Sequence, residues 1–195
     1  MMQNNVTTIF FVRHAEPDIS IHDDFLRPLT LKGTRDCDLV TKLLQDKKID
    51  VVLSSPYKRS VDTILPFANS VGFEVELIED FRERRVDSGW IDNFTDFTKK
   101  QWADFSYKLD DGECLLEVQK RNIDALEQVL RQHKNKNIVI GTHGTALSTI
   151  INYYDKTYGY EDFHAIVGIF PWIVKMEFDE EVCLGIEKVN MFTLG

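Results

Sequence analysis

Short apolar runs alternate with segments of helical period along most of the chain, and that alternation leaves few folds open. Residues 6–12 predict a first strand. Leu39, Val40, Leu43 and Leu44 repeat at helical spacing behind the capping residue Thr30, which predicts a helix over 31–45. Ile49–Leu53 reads as a second strand. It leads into Ser54-Ser55-Pro56, where Ser55 suits an N-cap and Pro56 a first helical turn. The helix so opened carries Arg59 and meets Pro66, a residue that kinks helices. Phe73–Ile78 alternates as a third strand, and Thr95–Tyr107 reads as a helix within a charged, aromatic-rich insertion at 86–113. Leu115–His133 is the clearest amphipathic helix, with Leu115, Val118, Ile123, Leu126, Val129 and Leu130 on one face. Asn137–Gly141 is a strand and Thr145–Tyr154 a helix. Trp172–Phe178 and Val182–Val189 pair as a hairpin across Asp179-Glu180. This order implies a three-layer α/β/α sandwich with a largely parallel central sheet and an antiparallel edge. No repeat or linker divides it, so residues 1–195 are expected to form a single domain.

Four of the runs share a second property: each ends abruptly in polar or cationic residues. The first gives Arg13 and His14, the second leads to Arg59, the third to Arg82, Glu83, Arg84 and Arg85, and the fourth to His143-Gly144. In a parallel sheet these ends lie on one side, where ligands bind. Two histidines, several arginines and a carboxylate would converge there, beside the amide-rich start of the 144–154 helix. Such a set suits phosphate. Arginine forks bind its oxygens, a neutral imidazole can attack phosphorus, and a carboxylic acid can protonate the leaving oxygen. Glu79 and Asp80 lie close to Glu83, and only its spacing to Gly89-Trp90 prefers Glu83. Glu16 reads as a structural carboxylate, and Tyr57 and Arg27 as residues of the entrance. His22, His133 and His164 stand in no motif, and the aromatic residues of 94–107 read as packing.

Charge and cysteine content narrow the partners. The net charge is −9, against the basic balance of a nucleic-acid binder. No apolar run approaches a membrane span, and Met1–Asn5 shows no start of a secretory leader, so a cytoplasmic protein is expected. Cys37, Cys114 and Cys183 form neither a disulfide framework nor a metal-binding spacing.

Taken together, Val12-Arg13-His14-Ala15-Glu16, Pro28-Leu29-Thr30-Leu31-Lys32-Gly33, Ser54 through Thr63, Glu83 ahead of Gly89-Trp90, Gly112-Glu113, and Thr142-His143-Gly144 resemble the histidine phosphatase superfamily, in its phosphoglycerate-mutase-like branch. The resemblance implies a phosphatase that hydrolyses phosphomonoesters through a phosphohistidine. It implies His14 as nucleophile, Arg13 and Arg59 as phosphate ligands, His143 as a further phosphate ligand and transition-state stabiliser, and Glu83 as general acid. It implies a small phosphorylated substrate, with neither metal nor organic cofactor. Ala15 replaces the family's Gly, Thr142 its Ser, Cys114 the Ser of Gly-Glu-Ser, Ser20 the mutases' Asn, and Arg84-Arg85-Val86 their Arg-His-Tyr. These departures favour a phosphatase over one alternative, a phosphoglycerate-type mutase. The intact set of Arg13, His14, Arg59 and His143 argues against the other, a non-catalytic phospho-ligand-binding member.

Overall fold

A computed structural model describes residues 6–89 and 91–189. Trp90, and Met1–Asn5 where no leader was read, lie outside the described residues. Six strands form one sheet: β1 (Val6–Arg13), β2 (Val51–Ser54), β3 (Glu76–Leu77), β4 (Asn137–Thr142), β5 (Trp172–Asp179) and β6 (Val182–Val189), in the order β3-β2-β4-β1-β5-β6. The β3-β2-β4-β1 part is parallel; β5 runs antiparallel to β1 and β6 to β5.

Both sheet faces are covered because the strands are apolar on both sides. Phe10, Val12, Val52, Val139 and Ile173 face α1 (Leu31–Leu44) and α2 (Lys58–Val71), packing on Val40, Leu43, Leu44, Ile64, Phe67 and Ala68. The alternate residues Ile9, Phe11, Leu53, Ile138, Ile140, Val174 and Met176 face the other way. They pack on α4 (Leu115–Gln132), α5 (Gly144–Tyr154) and α6 (Tyr160–Ile166). Each such side chain, fully buried, contributes about 1.5–3 kcal/mol. A one-residue slip of register would exchange the two faces.

Several local expectations need correction. Ser55 does not cap α2; Tyr57 precedes the helix, and the serine hydroxyl is taken by His143. The helix runs on through Pro66 to an αL cap at Gly72 (φ 75°). The third strand shrinks to two exposed residues at the sheet edge. The helix expected over 95–107 is α3 (Phe94–Ala103). Two of its aromatic residues, Phe97 and Trp102, are buried packing, with Trp102 and Phe163 of α6 at 5.5 Å between ring centroids, whereas Phe94 is 41% exposed. Helix α6 was not foreseen. At the α1 start, Thr30 Oγ1 accepts from the Gly33 N–H (2.9 Å) and donates to Glu16 (2.9 Å), so Glu16 is structural. Gly33 admits no side chain, because a Cβ there would sit 2.3 Å from the Glu16 carbonyl oxygen.

Candidate active site

Register brings the site together. Arg13 pairs with Thr142 across β1 and β4, and Ser54 with Gly141 across β2 and β4. The next residues, His14, Ser55 and His143, therefore leave the sheet side by side at the carboxyl ends of its parallel strands. The His14 and His143 rings lie 5.3 Å apart, centroid to centroid, at 62°.

His14 has a defined tautomer. Its Nδ1 lies 2.8 Å from the Ala15 carbonyl oxygen, which can only accept, so Nδ1 carries the proton and Nε2 the lone pair. Nε2 accepts from Arg59 Nε at 3.2 Å. Ala15 has no positive φ, and its N–H donates to Thr63 Oγ1 (2.9 Å). The loop thus uses an ordinary backbone conformation and does not need the family's glycine. His143 Nε2 pairs with Ser55 Oγ at 2.7 Å. His143 Nδ1 and Arg13 Nε are buried without a hydrogen-bond partner among the described residues.

The arginines reach the site differently. Arg59, rooted in the first turn of α2, spans from His14 to Asp24, pairing with its carboxylate at 3.1 Å and donating to its carbonyl. Arg27 meets the same carboxylate at 3.0 Å. Loop 17–27 therefore places its own anion on the cation that the sequence assigns to phosphate. Arg13 lies beside His14, and its guanidinium is 3.1–3.2 Å from where a Gly144 Cβ would stand. Most of its fork is turned away, however. It donates to the carbonyls of Ile166, Val167 (3.1 Å) and Ile169 (3.1 Å) and stacks on Phe170 at 4.0 Å. Phe170 in turn lies over the His14 ring, 5.6 Å away and 25° from parallel.

The mouth of α5 holds an anion, but the protein itself supplies it. Glu83 Oε2 accepts from the Thr145 N–H (3.0 Å), and Oε1 from the Ala146 N–H (3.2 Å) and the Arg84 N–H (2.7 Å). The expectation that these helix amides face substrate phosphate is corrected accordingly. Glu83 is still within electrostatic reach of Arg13, Arg59 and Tyr57. Glu79 and Asp80 are committed elsewhere, to Arg82. Arg84 is buried against Gln101 and the Phe94 and Phe97 rings, and Cys114 keeps the start of α4 closed by donating its N–H to Glu117 (2.8 Å). Ser20 is tied to Asp18 in an exposed turn.

Burial sets the charges. It pushes Arg13 down to about 10, with Glu83 opposing, so the guanidinium stays protonated at neutral pH. Burial, then Arg59 and Arg13, hold His14 well below 6.5; burial, then Arg59 and His14, do the same to His143. Both imidazoles are neutral at pH 7, as a nitrogen nucleophile requires. The linkage sign follows. Below pH 6.5 an unfolded histidine takes a proton that the folded one refuses, so stability falls as pH falls from 6.5 toward the folded values. The slope reaches about 1.4 kcal/mol per pH unit for each histidine. Urea unfolding of the protein should lose midpoint over this range, and His143→Asn should lose less. Identical slopes would contradict the assignment.

A buried neutral histidine facing a guanidinium, with a second histidine and a carboxylate near it at the ends of parallel strands, is an arrangement suited to binding and transferring a phosphoryl group. The chain belongs to the histidine phosphatase superfamily (branch 1), whose family model matches residues 9–178. It is 30% identical, over 76% of its length and 69% of the relative's, to a metal-independent phosphoserine phosphatase of Arabidopsis thaliana. It is 28% identical to phosphoserine phosphatase 1 of Hydrogenobacter thermophilus, over 69% and 70% of the two chains. Among solved structures it is similar to Bacillus stearothermophilus YhfR, with a TM-score of 0.78 at 20% identity, covering 95% of this chain and 98% of that one.

The sequence reads Ser55 only as a helix cap and Thr63 only as part of the 54–63 motif, and gives Asp24 and Phe170 no role at the site. Asp24 and Phe170 carry no local signal. Ser55 follows a strand at the level of His14, and its position after β2 was the usable clue. Among the described residues no helix is long and apolar enough to cross a membrane, and no three His, Cys, Asp or Glu side chains cluster as metal ligands.

Proposed function

We propose that His14 Nε2 is the nucleophile of a phosphatase for small phosphorylated metabolites, with Glu83 as its proton donor. The observation that carries this reading is the His14 ring, whose lone pair at Nε2 faces Arg59 Nε at 3.2 Å while Nδ1 is held by Ala15. An incoming phosphoryl group displaces Asp24 from Arg59, which then binds phosphoryl oxygens through its planar fork. The substrate enters as its monoanion and passes its proton to the Glu83 carboxylate, which leaves the α5 amides. Nε2, released by Arg59 Nε, then bonds to phosphorus as the phosphorus–oxygen bond to the leaving group breaks, and the leaving oxygen takes that proton from Glu83. His143 and Arg13 Nε face the charge that spreads over the equatorial oxygens. In the second half, Glu83 removes a proton from water. The water oxygen bonds to phosphorus as the phosphorus–nitrogen bond breaks, which frees inorganic phosphate and restores His14. Residues 86–113 act as a lid within a single domain. The three free thiols fit a reducing, cytoplasmic setting.

The named phosphoserine phosphatases among the relatives make phosphoserine the first substrate to test. A panel of phosphomonoesters that includes phosphoserine and 3-phosphoglycerate, scored for inorganic phosphate, should show release on at least one. Isomerisation of phosphoglycerate without release would replace the phosphatase reading by the mutase one.

A further inference from the structure

Gly112-Glu113 belongs to the sequence pattern but has no part in the chemistry above. In the structure the Glu113 carboxylate, 15% exposed, is gripped by Arg121 of α4, 11% exposed. Arg121 Nε donates to Oε1 at 2.8 Å and Nη2 to Oε2 at 3.0 Å. Arg82 Nη2 adds a bond to Oε1 at 3.3 Å, and the Arg85 N–H one to Oε2 at 2.9 Å. The remaining Arg121 hydrogens go to main-chain carbonyls: Nη1 to Asp80 (2.7 Å) and Arg82 (2.9 Å), Nη2 to Glu83 (3.2 Å). These bonds use every one of the five N–H groups a guanidinium has. The turn itself is seated tightly, since a Cβ on Gly112 would fall 2.1 Å from the Val86 carbonyl oxygen.

Residues 83–87 have no regular secondary structure, so neither a helix nor a ladder fixes the Glu83 backbone, although its carboxylate reaches the first amides of α5. The clamp closes on both sides of it, on the carbonyls of 80, 82 and 83 and on the amide of 85. We infer that Arg121 and Glu113 are positioning residues that set the backbone of the proton donor, so that the Glu83 carboxylate meets the leaving group. This inference rests on the reading of Glu83 as proton donor.

The test uses kcat/KM for a series of aryl phosphates of rising leaving-group pKa, in Glu83→Gln, Arg121→Gln, Arg121→Lys, Glu113→Gln and the Glu83→Gln/Arg121→Gln double variant. Glu83→Gln alone should lose about 10²-fold on the poorest leaving groups and far less on 4-nitrophenyl phosphate. Arg121→Gln should show the same bias. Its inhibition by inorganic phosphate should shift less than about threefold, and in the Glu83→Gln background it should cost nothing further. Arg121→Lys should not restore activity, because one ammonium cannot reach acceptors on both sides of Glu83. Equal loss on all leaving groups, or losses that simply add to those of Glu83→Gln, would overturn the inference. If Arg121→Gln does not fold, Glu113→Gln, which keeps size and removes the ion pair, decides by the same criteria. Should Glu83→Gln itself show no bias, the proton-donor reading fails and the inference with it. Bias in Glu83→Gln without bias in the clamp variants removes the inference alone.

Discussion

His14→Ala is expected to lower phosphate release by about 10⁴-fold or more on every substrate, because it removes the atom that bonds to phosphorus. The loss should fall on kcat, with inorganic phosphate still binding to Arg59 and its neighbours. The fold should survive. The ring packs between Phe170 and His143, but the Nδ1 contact to Ala15 is local and Ala15 is held separately by Thr63. Rapid quench of the wild-type protein into alkaline detergent, with a substrate radiolabelled in its phosphoryl group, should trap label on the protein, alkali-stable and acid-labile, and His14→Ala should trap none. Turnover within tenfold of wild type, or label retained in the variant, would assign the nucleophile elsewhere; His143 would be the next position to examine.

Arg59→Met should be nearly as damaging, by about 10³-fold in kcat/KM, for two separable reasons. It removes a fork that binds the transferring group. It also removes the donor to His14 Nε2 and one of the two cations on Asp24, whose carboxylate it pairs at 3.1 Å and which is left with Arg27 alone. Arg59→Lys keeps the charge but not the planar fork, and should recover only a small part. The double variant Arg59→Met/Asp24→Asn separates the two effects. If the damage came from a carboxylate left with one cation in the loop, removing that charge would restore much of the activity. The phosphate-ligand role predicts that it does not. In the otherwise native protein, Asp24→Asn should tighten inhibition by inorganic phosphate severalfold, since Arg59 then loses the anion that competes with phosphate.

The sheet was legible in the sequence because its strands are apolar on both faces and end in polar residues at the same level. That regularity placed Arg13, His14, Arg59 and His143 on one side without any knowledge of loops. The edge was less legible. Phe73–Ile78 alternates well enough, but Glu74 and Glu76 have no partner strand beyond them, and pairing survives at only two residues. Helix α6 escapes a reading of the sequence because its seven residues, Tyr160–Ile166, are too few to show a period. The contacts that close the site were out of reach for another reason. Asp24 meets Arg59 across 35 residues, and Arg13 meets the 166–169 segment across more than 150. No local pattern encodes such meetings. Arg121 was hidden in plain view, since an arginine on the polar side of an amphipathic helix looks like a solvated charge until its five hydrogens are traced.

The pairing of Arg13 with Thr142 and of Ser54 with Gly141 has a consequence for how sequences like this one can change length. His14, Ser55 and His143 hang from three adjacent strands at one level. Adding or deleting a residue inside β1, β2 or β4 would move one of them by about 3.3 Å and turn it to the opposite face. Insertions are therefore excluded from these three short stretches. Loop 17–27 and the 88–111 stretch can lengthen, shorten or exchange residues while the reacting groups keep their spacing, whereas Gly112 and Glu113 are held to Val86, Arg85 and Arg121. A library of length variants should divide sharply along that line, with inactive proteins from strand insertions and active ones of altered substrate choice from the two loops.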